Sequence, residues 1–408
     1  MRLPIFIAKR YFLFGKKLNF INIISLLSIL VVAFVTMSLV VALSVFNGLE
    51  DLIRTLFSSF DPQIKISSYK GKAFPVDVQF LDKIKNVEGI EIVTEVIEDN
   101  ALLKYKDDQV VIKVKGVSAN FTEQNRMDSM IVSGEFVLQK GNQEFAIVGR
   151  GVQYNLSISL YNEIFPLQIW YPKNVKNVSI NPERIFNRES ITAGAVFAIE
   201  KQYDDNYIFV PLQFAERLME YGNKRTSLEI KVKKGYKVNN VRDRLRLLLG
   251  KEFKVLNSDE QHASLLRAVK IEKLFMFVTI SFILAVASLN IFFCLTMLAI
   301  NKKKDVAVLF SMGATPALIR KIFLTEGALI AFTGAIIGLT LGVLLCLAQQ
   351  HFGLVSMGME TSLVDAYPVK MNLMDFVSTG ITIFVITMVA SYRPANSAAS
   401  IQVRESLS

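Results

Sequence analysis

The chain has two histidines, His262 and His351, and two cysteines, Cys294 and Cys346. Neither histidine belongs to an H-E-x-x-H pattern, and no G-x-S-x-G run is present to make a serine nucleophile. One S-x-x-K match, Ser67 to Lys70, stands without S-D-N or K-T-G partners. No G-x-x-x-x-G-K-[ST] loop occurs, so the chain is not expected to cradle a nucleotide's phosphates itself. These absences predict no catalytic, cofactor-binding or metal-ligating residue, and no enzyme. What remains is the chemistry of docking, and one segment carries it. In NKKKDVAVLFSMGATPALIRKIFLTEG, residues 301 to 327, Asp305 sits where a helix N-terminus favours negative charge. Val306, Leu309 and Phe310 form an i, i+3, i+4 face, and Gly313 follows as a stop signal. Thr315 and Pro316 then supply an N-cap and a first-turn proline for a second helix. A short amphipathic helix of this kind suits either lipid headgroups or a cytoplasmic protein partner.

The elements around this segment are apolar. Four uncharged runs are candidates to cross a hydrocarbon core, which needs roughly 20 residues: 21–46, 274–300, 328–348, and 376–392, the last extended by its flanks. The first is too long for a secretory h-region and lacks a convincing cleavage site. Both cysteines fall inside predicted spans, so the part outside the membrane is expected to fold without a disulfide.

Charge sets the expected orientation. The arm 1–20, the loop 301–327 and the tail 393–408 hold 12 of the 46 Lys and Arg residues but only 3 of the 36 Asp and Glu, leaving 34 and 33 elsewhere. By the positive-inside tendency these three segments are cytoplasmic, with both termini inside. The same count accounts for the excess of +10 without a nucleic-acid surface. Residues 47–273 then form one large extracytoplasmic insertion, and 349–375 a short loop on the same side. VVIKVKGV (110–117), FPLQIWY (165–171) and SLEIKVKK (227–234) read as half-buried strands, and VNNVRDRLRLLLG (238–250) as a glycine-ended helix. The expected fold is a polytopic α-helical membrane protein with four transmembrane helices and a mixed α/β extracytoplasmic domain between the first two. At both ends of the insertion, NGLEDLIRTLFSSF and NSDEQHASLLRAVKIEK carry helical periodicity running directly into a span, as stalks or as ordinary surface helices.

NKKKDVAVLFSMGATPALIRKIFLTEGALIAFTGAIIGLTLGVLLCLA resembles the signature of the FtsX/MacB-type ABC permease superfamily. FIAKRYFLFGKKLNFINIISLLSILVVAFVTMSLVVALSVFNGLEDLI, DPQIKIS and the SYRPANSAASIQVRESL tail resemble the lipoprotein-releasing permeases of the LolC/LolE type. The resemblance implies a MacB-like periplasmic core and an FtsX-like permease part in a bacterial inner membrane. It makes the short helix a coupling helix, with Asp305, Val306, Leu309, Phe310, Met312, Gly313 and Ala314 facing a separate LolD-like ABC ATPase dimer. ATP and magnesium would be bound there, with no cofactor on this chain. The other implied partners are a second permease subunit (the same chain or a different one), a lipoprotein substrate and a LolA-like periplasmic chaperone. A lipid-accepting cavity would use Val41, Leu43, Val45, Phe46, Phe275, Met276 and Val278 at the outer ends of the first two spans. A chaperone-capturing hook fits residues 172–189, through Pro172, Asn174, Val175, Val178, Ile180, Pro182, Ile185 and Phe186, where a plain hairpin loop is the alternative. Gly334, Gly338 and Gly342, four residues apart, permit close helix packing. The resemblance also admits an FtsX-like signalling subunit that activates a periplasmic partner and transports nothing.

Overall fold

The computed structural model describes residues 3–13, 20–162, 164–173, 185–356 and 366–400. It divides at Asp51/Leu52 and Leu266/Arg267 into a helical unit drawn from both ends of the chain and an inserted unit.

Among the described residues four helical stretches are long and apolar enough to cross a membrane. The first belongs to a helix that runs unbroken for 41 residues, Phe20–Phe60, so the apolar run and the amphipathic stretch after it are one element. The second is made of Ala263–Ala287 and Leu289–Asn301, which meet at Ser288. There the Ile291 N–H donates to the Ser288 carbonyl, a tightened turn inside the apolar run. The third, Pro316–Phe352, ends where Gly353 takes the left-handed conformation at φ 57°. The fourth, Leu373–Ala399, begins on an Asn372 cap and passes through Pro394. The core of this unit gathers Val32 and Leu39, Ile291 and Leu295, Phe323 and Ile330, and Ile383 from the four spans, while Phe34, Phe282, Phe332 and Phe384 point away from it. A short N-terminal helix, Leu3–Leu13, packs along the third span, with Ala8 fully buried.

The inserted unit contributes β1 Ile64–Ser68, β2 Phe74–Pro75, β3 Ile90–Tyr105, β4 Asp108–Val117, β5 Ile131–Gly134, β6 Gln139–Lys140, β7 Gln143–Gly149, β8 Leu167–Pro172, β9 Phe186–Phe197, β10 Tyr207–Pro211, β11 Lys224–Arg225, β12 Ser227–Val232 and β13 Phe253–Asn257. The main sheet has the order β13-β1-β12-β3-β4-β10-β7-β9-β5, with β6 on β7 and β8 bridging β3 and β9; β2 and β11 pair separately. β3 is the spine: its first half pairs with β12 and its second with β4 and β8. The β4/β10 and β7/β9 pairs are parallel, and those around them antiparallel. The unit is a mixed α/β domain. The helix read at 238–250 is Val238–Leu249, stopped by Gly250 at φ 67°.

One expectation fails in an informative place. The alternation in β4 and β12 predicts a wet face carrying Lys115 and Glu229, yet these side chains are 1% and 0% exposed. The second face of the sheet is covered by a cluster of Phe60, Val96, Phe121, Phe197, Tyr203 and Phe209. Lys115 Nζ lies 2.7 Å from Glu229 Oε1, and Arg126 Nη2 lies 2.5 Å from Oε2. Both cations also hold Phe60, the last residue of the long helix. Lys115 sits 4.7 Å from its ring centre, and Arg126 Nη1 donates to its carbonyl at 3.1 Å. Burial by itself would push the Glu229 carboxyl up. The Lys115 and Arg126 charges, with Lys65 farther off, outweigh it and hold the group down at about 2.

Replacing Glu229 by Gln leaves two buried cations short of a counter-charge, at a cost of about 3–5 kcal/mol, read as a lowered midpoint of thermal unfolding of the purified full chain. Because the folded-state pKa is depressed, the carboxylate's contribution is complete above the ordinary Glu range near 4.5 and is lost as pH falls toward about 2. The wild-type and Glu229→Gln midpoints therefore converge on acidification across that window.

Candidate functional site

The segment between the second and third spans folds as two helices with a sharp exit. Lys302 closes the Leu289–Asn301 helix and opens Lys303–Ser311. Gly313 follows at φ 90°, where a side chain would be strained. Thr315 then caps the third span, its hydroxyl accepting from the Leu318 N–H at 3.3 Å, with Pro316 in the first turn.

The outward face of the short helix differs from the face expected to dock. Val306 is 1% exposed and belongs to the core of the helical unit, with Leu309, Phe310 and Ala314 half-buried against the same core. Asp305, Met312 and Gly313 are exposed, together with Lys304, Val308 and Ser311. Val308 is 51% and Met312 79% exposed. Periodicity identifies an apolar face correctly but does not say whether it looks at a partner or at the chain's own bundle. Here it anchors the helix, and the outward stripe 304, 305, 308, 311 and 312 is what a second molecule can reach.

Gly334, Gly338 and Gly342 face the first span. A Cβ at Gly334 would meet the Ile29 carbonyl and Val32, at Gly338 the Ala33 carbonyl and Thr36, and at Gly342 the Val40 side chain. The third helix thus approaches the first backbone to backbone, the contact that small residues permit where no hydrophobic force exists between lipid-embedded helices.

The residues expected to line a lipid cavity do not share one environment. Leu43 is 2% exposed in the bundle core and cannot line an open cavity of this chain. Met276 packs against that core, Val41, Val45 and Phe46 are half-buried, and Phe275 and Val278 are 70% and 55% exposed on the outside of the second span. In the expected hook, Pro172 pairs with Phe186 at the end of the β8/β9 ladder, and the Lys173 N–H donates to the Ile185 carbonyl. Asn174, Val175, Val178, Ile180 and Pro182 lie outside the described residues. On the paired β8 and β9 strands, Trp170 has Arg188 4.1 Å from its ring centre, with Lys104 of β3 at 5.9 Å.

Two polar assemblies went unnoticed in the sequence. At the root of the inserted unit the His262 ring stacks on Phe57 at 3.5 Å, and its Nε2 lies 2.5 Å from Asp61 Oδ2. Arg54 pairs with Asp259, and Gln261 Nε2 donates to the Pro62 carbonyl. Residues 54–62, where the chain comes into the unit, and 257–262, where it goes out, are therefore fastened to each other. They border a cavity of about 370 Å³ lined by Phe60, Asp61, Glu98, Lys113, Tyr203 and Tyr207 among others. Burial first, then Asp61 beside Tyr203 and Glu98 beside Tyr207, raises both phenols well above their ordinary range, so they stay neutral donors. In the helical unit, Lys273 Nζ bonds Asn47 Oδ1 at 2.7 Å and Asp375 Oδ2 at 3.1 Å, and Asn47 Nδ2 bonds Asp375 Oδ2 at 2.6 Å. This ties the first, second and fourth helices together.

The MacB-like periplasmic core domain model matches residues 25–248, more than half of the chain. The chain belongs to the MacB-like family. The FtsX-like permease C-terminal model matches residues 277–403. Over all of both chains the protein is 24% identical to the lipoprotein-releasing system transmembrane protein LolE of Haemophilus influenzae. It is also 24% identical to LolC of Buchnera aphidicola subsp. Schizaphis graminum, covering 96% of this chain and 94% of that one. LolC of Neisseria meningitidis serogroup B is 23% identical over 99% of each chain. The periplasmic region of MacB from Actinobacillus actinomycetemcomitans aligns with a TM-score of 0.36 at 10% identity, over 51% of this chain and 94% of that one. The chain's C-terminal match is to the FtsX-like permease model, and its four apolar helices with a MacB-like domain fit a multi-pass membrane protein.

In this MacB-like protein, Gly338→Leu should force the first and third spans apart, an overpacking cost of about 1–3 kcal/mol. Thermal unfolding in detergent is expected to show the loss, while Gly380→Leu, at a glycine whose added Cβ meets open space, leaves the midpoint near wild type.

Proposed function

We propose that this chain is the membrane subunit of a transporter in which a separate ATPase hydrolyses ATP and the permease releases lipoproteins from the inner membrane to a periplasmic chaperone. The observation carrying this reading is the near-complete overlap with proteins named as lipoprotein-releasing, joined to a short helix that presents its free stripe outward between two spans. Force delivered to Lys303–Ser311 has a direct route inward, since Val306, Leu309 and Phe310 are embedded among the span residues. From there the unbroken Phe20–Phe60 helix carries covalent continuity to the seat of Phe60 in the inserted unit. A second permease subunit would complete the transporter. The basic arm, the 301–327 loop and the tail lie in the cytoplasm in this reading.

The docking face is Val308 and Met312 with Lys304 and Asp305 at its rim, and burying two such apolar side chains is worth about 1.5–3 kcal/mol each before association costs. Val308→Asp with Met312→Asp should abolish co-purification of the ATPase while the permease stays inserted and monodisperse. Leu309→Asp with Phe310→Asp should instead unfold the helical unit. Retention of the ATPase by the Val308/Met312 pair would remove the coupling role. Retention of ATPase binding with activation of a periplasmic hydrolase, and no lipoprotein release, would favour a signalling subunit.

Orientation is tested by thiol labelling in intact cells, with little background because Cys294 and Cys346 are buried. A cysteine at Lys304 should be protected from a membrane-impermeant reagent, and one at Tyr154, 84% exposed in the inserted unit, should label. Labelling at position 304 would invert the topology.

A further inference from the structure

The N-terminal helix Leu3–Leu13 is fastened to the helical unit by one side only. Ala8 is fully buried, Ile7 packs on the core of that unit, and Pro4 is half-buried with them. The opposite side is open. Leu3 is 53%, Ile5 47% and Phe6 51% exposed, and Lys9 and Arg10 are exposed beside them. By helical spacing these five residues fall on two adjoining lines, Leu3–Phe6–Arg10 and Ile5–Lys9, each apolar at its start and cationic at its end. Neither Lys9 nor Arg10 pairs with an acid among the described residues. The sequence of the arm, 1–20, supplies no Asp or Glu to oppose them.

No single solvent suits this face. Water solvates the two cations and penalises three large apolar side chains, while hydrocarbon does the reverse. The headgroup layer of a bilayer accepts both, apolar side chains on the acyl boundary and cations on the phosphates. An uncharged or zwitterionic surface would leave the uncompensated cations without a preferred partner, whereas anionic lipid attracts them. Bilayer is also the surrounding that this unit requires, since Phe34, Phe282, Phe332 and Phe384 of its four spans point away from their own core.

We propose that Leu3–Arg10 is a binding site for anionic phospholipid, with Leu3, Ile5 and Phe6 at the acyl boundary and Lys9 and Arg10 on the headgroup phosphates. The opposite side of the same helix packs on the third span, so the lipid it holds is tied to the bundle by way of Ile7 and Ala8. The inference needs only that the four apolar helices span a membrane, and it stands whether or not the chain releases lipoproteins.

The test uses the purified full chain in detergent, with phosphatidylglycerol or phosphatidylcholine added and lipid retention read by native mass spectrometry. Lys9→Gln with Arg10→Gln should weaken phosphatidylglycerol retention roughly 25-fold, about 5-fold for each cation, and leave phosphatidylcholine unchanged. Lys83→Gln with Lys85→Gln, an exposed basic pair of the inserted unit, removes the same charge and should alter neither. Unchanged phosphatidylglycerol retention in the first pair, or an equal loss in both, overturns the site. Soluble glycerol phosphate should fail to displace the lipid; displacement would mean that the apolar half contributes nothing, and overturns it too. In phosphatidylglycerol nanodiscs, an environment-sensitive dye on Ile5→Cys should be quenched by a shallow spin-labelled lipid and shielded from aqueous iodide, the native Cys294 and Cys346 being buried. Full quenching by iodide would place the face in water and end the proposal.

Discussion

The seat of Phe60 is the contact on which the inserted unit depends. A helix end leaves carbonyls without intrahelical partners, and here Arg126 supplies one donor while its guanidinium and Lys115 share Glu229. Removing water from three charges is expensive, and the arrangement survives because each charge is opposed and the Phe60 and Phe209 rings face the Lys115 ammonium. The result is specificity of position more than net stability. A hydrophobic plug could seat Phe60 at several depths, whereas a carbonyl and a ring held by two fixed cations admit one. The His262–Asp61 contact and the Phe57 stack then determine where the chain leaves the unit again.

The helical unit solves a different problem. Lipid removes the hydrophobic drive for helix association, so its contacts are built from close backbone approach at glycine and from scarce polar groups. The Lys273–Asp375–Asn47 cluster and the buried Glu326 lie at separate levels of the same bundle, and the cluster draws on three helices. Between them the packing is aliphatic, with Val32, Leu39, Leu295, Ile330 and Ile383 among its members.

Much of this was legible in the residue order. Four apolar runs, a mixed insertion, the Gly313 stop and the Thr315–Pro316 start all follow from local chemistry, and each needs only a few neighbouring residues. The direction of a face is not local. Val306, Leu309 and Phe310 have the spacing of a docking stripe and of an anchoring stripe alike, and only the presence of Ile319 and Phe323 alongside decides between them. The same limit explains Lys115 and Glu229: strand alternation puts them opposite the core, but a helix ending 55 residues before Lys115 covers that side. His262 was legible as a residue and illegible as a contact, since Asp61 is 201 positions away.

The glycine approach between the first and third spans also bears on how such a protein can change over time. At Gly338 the opposing atoms are the Ala33 carbonyl and the Thr36 side chain. A larger residue on the third span cannot be offset by trimming its neighbour, because the obstacle at Ala33 is main chain. That pair of helices can therefore vary only by drifting apart as a whole, while Phe34 and Phe332, pointing away from the core, can be exchanged one at a time. Divergence between relatives should collect on the outward sides of these two helices and leave their shared line nearly fixed.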